Sequence, residues 1–438
     1  MGDDSSGLSR RDFVRGIGTA GAISVSGIAG CMGIGGGGGL GGEPQTYTVA
    51  ALVPQSGQYS DVGQAMQRGY EFGASGENAD ATVSEFFDDA EFNLEVVDDE
   101  SSADTATSQL ESINEESEVN MVWAGYGNGP SQAAAEFAEE QGIPCLAPYF
   151  PFEQPQIEGE YEWTFATGPN SRNIAIGTAG LLDDMPEEDR PSSVAIWEPS
   201  SDWGAEMADA WEQYLGEADY EYEVATRTSF EAGSEDLSGP VSEAMNAEAE
   251  VVLSNASLTS AVAAVEEMQS AGYAPTLAQL SWGADRPSWW DELGATGKYV
   301  VSTPGWVQGS TRDGTIGFLE RFGQTHGYSA TEGDLIPPAA GSAWAVTQLV
   351  RITLQENDPF SPEDVRDKIN DRQFQTAVGQ LDYRDGNYGV PRATGFGALP
   401  AQWWEDDEFG VGQRHAWLDG ESYSGIQLQY PMPAWSER

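Results

Sequence analysis

The sequence predicts an α/β fold: two doubly wound lobes with mostly parallel sheets. Two observations carry it. Short apolar runs alternate with helix-spaced segments across residues 47–282, and that alternation restarts once, after an interruption near residue 165. The length of 438 residues suits two lobes at roughly 100–200 residues each.

Residues 47–53 read as a buried strand, and 64–72 as the helix after it, with Met66, Gly69 and Tyr70 at helical spacing. The same unit recurs as strand 94–97 before helix 105–113, and strand 119–123 before helix 131–140. Past the apolar run 143–147 the chain crosses through 161–165 and begins again. Strands at 194–197, 222–226, 251–253 and 277–282 alternate with helices at 204–215, 238–247 and 259–271. Helices at 314–325 and 339–355 follow, and a Gly/Trp-rich tail reads as short strands rather than a third domain.

The chain holds 72 Asp and Glu against 19 Lys and Arg, a net charge of −53, so nucleic acid is excluded as a partner. Its 14 Trp, 16 Tyr and 16 Phe supply enough apolar mass for large cores despite that charge. Only Lys298 and Lys368 are lysines, and acid-rich, lysine-poor surfaces resemble those of extreme halophiles. Acidic clusters such as Asp88-Asp89 and Asp98-Asp99-Glu100 are accordingly expected on a solvated surface.

Arg10-Arg11, followed by the Gly/Ala-rich run 17–30, resembles a twin-arginine export signal spanning 1–30. Ile28-Ala29-Gly30-Cys31 resembles a lipoprotein-processing box. Cys31 would then become the lipidated first residue, with 31–46 a Gly-rich tether. The other reading is an uncleaved hydrophobic anchor with a linker, and in either case the body faces outward. No later segment reaches 18 uninterrupted apolar residues, so the membrane is met through the anchor only. Cys145, the second of two cysteines, sits in an apolar run and reads as a buried, inert thiol.

The order of elements and the loop motifs together resemble the substrate-binding proteins of branched-chain amino acid type ABC importers, the type I periplasmic binding proteins. The residues that carry the likeness are Pro54-Gln55-Ser56-Gly57-Gln58-Tyr59, Ala124-Gly125-Tyr126-Gly127-Asn128-Gly129-Pro130-Ser131, Gly142-Ile143-Pro144 leading to Ala147-Pro148-Tyr149, Phe165-Ala166-Thr167-Gly168-Pro169-Asn170, and Ser201-Asp202-Trp203-Gly204. The likeness covers roughly residues 47–383. It implies a clamshell with a multi-crossing hinge near Phe165, Pro304 and Tyr383, lobe 1 from 47–166 plus 305–385 and lobe 2 from 167–304 plus 386–438. It further implies a small-molecule solute held between the lobes, ABC permease subunits as partners, a monomer, and no cofactor or metal. The place of the cleft also follows from the fold, because open parallel sheets bind ligands at the carboxyl ends of their strands.

Departures from the amino-acid-binding pattern narrow the ligand. The hydroxyl position of the third-strand loop falls on Asn128 and a ligand-contacting threonine on Pro151, which offers neither hydroxyl nor N–H. The acid that holds an ammonium falls near Trp282, and a second-lobe tyrosine becomes Ser257. The expected ligand-binding residues are therefore Ser56, Tyr126, Asn128, Tyr149, Phe150, Trp203, Ser257 and Trp282, an aromatic-lined cleft suited to a flat, apolar or cationic solute. Asp285 is either a substitute ammonium partner or one more surface carboxylate.

Enzyme chemistry has little support. His326 and His415 are far apart and form no paired-histidine helix, and Ser131 lacks the second glycine of a nucleophile elbow. The expectation is an extracytoplasmic solute-binding protein that is not an enzyme. Two alternatives are a ligand-sensing receptor subunit on the same fold and a secreted halophilic hydrolase.

Overall fold

The computed structural model describes residues 45–438 except 77–78, 80, 88–89, 154–157, 159–160, 219–221, 309, 311–314, 329–334, 356–357, 385–399, 407–409 and 418–425. The expected export signal with Arg10 and Arg11, the lipidation site Cys31 and the pair Asp88-Asp89 lie outside the described residues.

Five parallel strands, β1 (Thr46–Val53), β2 (Glu91–Asp98), β3 (Val119–Trp123), β4 (Cys145–Ala147) and β5 (Thr164–Ala166), form a first sheet in the order β2-β1-β3-β4-β5. Residues 47–53 of β1 are all buried, as a near-continuous apolar run between two helical layers requires, with Thr48 the one polar residue in it. Tyr47, Val49, Ala51 and Val53 enter the core under α1 (Ser60–Ser75), and Ala50 and Leu52 the core under α2 (Ala103–Glu116) and α3 (Asn128–Gln141). This two-residue alternation places one strand in both cores.

The second sheet begins after α4 (Ser171–Asp183). Strands β6 (Ser193–Pro199), β7 (Glu223–Phe230), β8 (Val251–Ser254), β9 (Leu277–Leu280) and β10 (Val301–Ser302) run parallel, interleaved with α5 (Asp202–Glu217), α6 (Ser238–Asn246), α7 (Leu258–Ala271) and α8 (Ser288–Leu293). The chain then adds α9 (Thr315–His326) and α10 (Pro338–Leu354) to the core of the first sheet. Next come α11 (Pro362–Asn370) and a hairpin of β11 (Gln373–Thr376) and β12 (Gly379–Asp382). The tail strands β13 (Ala401–Asp406), β14 (Gly410–Trp417) and β15 (Ile426–Gln427) extend the second sheet to the order β15-β14-β13-β10-β9-β8-β6-β7. β13 is antiparallel to both β10 and β14.

The second strand set thus ends in an antiparallel margin. In both lobes the strand order reverses, between β1 and β3 in the first and between β6 and β8 in the second. Loops after those four strands border the crevice that such a reversal opens.

Asp99 corrects the expectation of a solvated Asp98-Asp99-Glu100 cluster: it is 0% exposed. It follows directly on β2, and its Oδ1 accepts from the Ser101 amide at 2.8 Å while Oδ2 is buried without a partner. Burial pushes its carboxyl up to about 7, opposed by the Ser101 bond. Cys145 is buried as expected, and burial raises its thiol pKa.

Candidate functional site

The loops at the carboxyl ends of the two sheets, at the reversal points and beside them, bring aromatic rings from both lobes together. Tyr59 comes from the β1–α1 loop, Tyr126 from the β3–α3 loop and Tyr149 from the segment after β4. On the other side Trp203 opens α5 and Trp282 follows β9. Tyr126 lies 4.4 Å from Tyr149, 5.3 Å from Tyr59 and 5.8 Å from Trp282 between ring centroids. Trp282 in turn meets Trp203 at 4.5 Å and Tyr59 at 6.1 Å. Tilted and edge-on pairings of this kind set ring edges against electron-rich faces.

Gly127 makes the first-lobe half possible. Its φ is +98°, and a Cβ there would come within 2.4 Å of the Tyr59 ring. Only glycine both adopts that backbone and leaves room for the ring.

A short turn in the second lobe, Gly283–Asp285, links Trp282 to the polar half of the site. The strand expected to run through residue 282 ends at Leu280 because this turn bends the chain. The Tyr126 hydroxyl donates to Asp285 Oδ1 at 2.9 Å, from one lobe to the other. Asp285 is 8% exposed, so it is no surface carboxylate. Burial pushes its carboxyl up to about 7, against the lowering effect of Arg286 and the Tyr126 hydroxyl. The same interior raises the Tyr126 phenol well above its ordinary value, burial first and the Asp285 charge second.

Arg286, 4% exposed, crosses between the lobes in the opposite direction. Its Nη1 pairs with Asp61 Oδ1 at 3.1 Å and donates to the Gln58 carbonyl at 3.4 Å. The guanidinium stands 5.7 Å from the Tyr59 ring centroid. Ser288 donates its hydroxyl to Asp61 Oδ2. A cavity of about 20 Å³, the size of one water, lies beside Asp285 and Arg286 and is lined also by Trp403 and Gln413.

Of the eight residues expected from sequence, Tyr126, Tyr149, Trp203 and Trp282 come together. Asn128 begins α3 with its Oδ1 buried and unpartnered, and the Trp282 indole N–H is likewise buried without an acceptor. Ser56 is exposed and bonds to Asp98, its hydroxyl donating at 2.8 Å. Ser257 caps α7. Phe150 packs in the core beneath α3 and touches Phe152 and Tyr161 rather than the ring cluster. Tyr59, Asp61, Arg286 and Ser288 escaped the sequence reading. Tyr59 ends the first loop motif and was the most accessible of them.

Among the described residues no three His, Cys, Asp or Glu side chains are placed to hold a metal, and no helix is long and apolar enough to cross a membrane. Ser131 donates its hydroxyl to the Gly125 carbonyl at 3.1 Å.

A search of curated proteins returned no significant sequence relative. Similar solved structures include the branched-chain amino acid transporter substrate-binding protein LivJ of Streptococcus pneumoniae in complex with isoleucine. It is 14% identical, with 84% of this chain and 100% of that one covered and a TM-score of 0.66. A solute-binding protein of Rhodopseudomonas palustris in complex with benzoate gives 14%, 88% and 98%, and 0.66. The leucine-binding protein LivK of Thermotoga maritima gives 14%, 84% and 97%, and 0.68. These likenesses show a shared type I binding-protein fold. A family model described as periplasmic binding protein matches residues 46–395, most of the chain. The chain belongs to the periplasmic binding protein family.

Proposed function

We propose that the chain is an extracytoplasmic solute-binding protein that encloses one small organic solute between its lobes and delivers it to an ABC importer permease. The observation that carries this is the meeting of Tyr59, Tyr126 and Tyr149 with Trp203 and Trp282 around the Tyr126–Asp285 bond. Because the rings touch one another, a solute enters by parting the lobes and replaces ring–ring contacts with ring–solute contacts. Faces of Tyr and Trp with a buried carboxyl suit an aromatic, amide or cationic solute. The isoleucine and benzoate complexes of similar folds support a ligand of that size.

Anchoring rests on Arg10-Arg11 and Cys31, which fit export in the folded state and lipidation on the outer face of the membrane. Native mass spectrometry of protein purified without refolding tests the solute reading through a co-purified small molecule. Calorimetric titration with L-leucine, benzoate and choline separates the solute classes. No bound molecule and no heat with any of them would overturn it.

A further inference from the structure

The C-terminal strand pair lies outside the family match, which ends at residue 395, yet it reaches the back of the site. Trp403 of β13 and Gln413 of β14 stand directly opposite each other in the antiparallel register. Directly paired residues project from the same face of a sheet. Both side chains converge on one acceptor: the Trp403 indole N–H donates to the Ala284 carbonyl at 2.7 Å, and the Gln413 amide donates to the same oxygen.

Ala284 is fully buried and lies between Trp282 and the Asp285-Arg286 pair. The turn is confined from its other side too, since a Cβ on Gly283 would fall 2.5 Å from the Ala261 Cβ and 2.7 Å from the Ser257 carbonyl. The strand pair itself is fixed: the Trp403 amide donates to the Val300 carbonyl at 3.2 Å, and its carbonyl accepts from Tyr299 at 2.9 Å. Trp290 stacks on its ring at 6.1 Å.

We infer that Trp403 and Gln413 are positioning residues of the binding site, clamping the Ala284 carbonyl so that Trp282, Asp285 and Arg286 are held at the first lobe. As a statement about solute binding this rests on the cleft reading above; as a statement about the turn it does not. Losing one of two bonds to a buried carbonyl should raise local opening of the turn about tenfold.

Hydrogen–deuterium exchange of the full chain, followed in a peptide spanning 281–289, tests it. Trp403→Phe keeps an aromatic side chain but removes the indole N–H together with one fused ring, a volume loss that the Trp404→Phe control shares; Gln413→Leu removes the other donor at nearly constant volume. Trp404→Phe serves as control, because the Trp404 indole bonds to Gln402 and not to Ala284. About tenfold faster exchange in either clamp variant, absent in the control, is the expected result. A cycle with Asp61→Asn adds a readout that mere tail packing would not move, since a displaced turn makes the Asp61 substitution cost less in the clamp variant. Unchanged exchange, equal acceleration in the control, or strictly additive stability losses would overturn the inference. Should Gln413→Leu fail to fold, Trp403→Phe carries the test. Failure of L-leucine, benzoate and choline to bind the unaltered chain would sink the solute reading and leave the exchange result standing.

Discussion

Tyr126 and Asp285 share a 2.9 Å hydrogen bond that joins the two lobes inside the protein, although 159 positions separate them in sequence. Near pH 7 the carboxyl is poised between its two forms, because burial pushes it up to about 7. Ionised it accepts from the phenol, and protonated it also carries a proton of its own.

Stability should fall as pH rises from about 4 to about 7. An unfolded aspartate titrates near 3.9, whereas Asp99 and Asp285 do so at about 7, so across that window the folded chain holds more protons than the unfolded one. Asp99→Asn keeps the acceptor for Ser101 and removes the titration. At pH 7.5 and fixed molar salt it should raise stability by on the order of 1–3 kcal/mol, and at pH 4 by little, as read from urea midpoints.

Asp61→Asn should loosen closure. It leaves Arg286, almost wholly buried, with a weaker partner, for a cost of about 1–3 kcal/mol because Asp61 itself is partly exposed. Small-angle scattering should show a larger radius of gyration with unchanged circular dichroism.

Trp203 and Trp282 should separate binding from folding. Trp203 is 6% exposed within the second-lobe core, and its indole donates to Ser171 at 3.1 Å, so Trp203→Ala should cost about 3–5 kcal/mol of stability. Trp282 is only partly buried, so Trp282→Ala should weaken solute binding by about tenfold or more at a smaller cost in stability. Calorimetry and thermal melts of the two variants decide it.

Replacing Arg10 and Arg11 with lysine should leave precursor in the cytoplasm, and Cys31→Ser should abolish the lipid mass of the mature protein. Fractionation with intact-mass measurement reads both. Normal export of the double-lysine variant would contradict the twin-arginine assignment.

The −53 charge should make the melting temperature rise with salt towards molar concentration, where screening shortens from about 10 Å to about 3 Å. Melts across a salt series test this, and a flat response would remove the halophile reading.

Strands such as β1 and β3 were legible because a strand covered on both faces is written mostly in apolar residues, with Thr48 and Asn120 the exceptions inside these two. Helix α4 was overlooked: its apolar face is broken by Asn173, Gly177 and Thr178, although the reciprocal Asn170–Asn173 cap marks its start. Tyr126, Tyr149, Trp203 and Trp282 could be picked out because aromatics in loop motifs are conspicuous. Asp61 could not, and Asp285 stayed open between an ammonium partner and a surface carboxylate, since each is one of 72 acidic residues and what distinguishes it is a distant partner. The Asp61–Arg286 pairing spans 225 positions, so it follows from the closed fold and not from any local pattern.

The enclosure of Arg286 divides the molecule's charges into two populations. Carboxylates at the rim repel one another through the solvent, and dissolved cations screen that repulsion. The Arg286 side chain is only 5% exposed against 27% for Asp61, so their attraction is less sensitive to what is dissolved outside than that of fully exposed pairs. Ionic strength can therefore govern whether the protein survives while hardly touching the effort needed to prise it open. A neutral guest should be gripped almost equally in dilute and in concentrated brine, provided the chain stays folded.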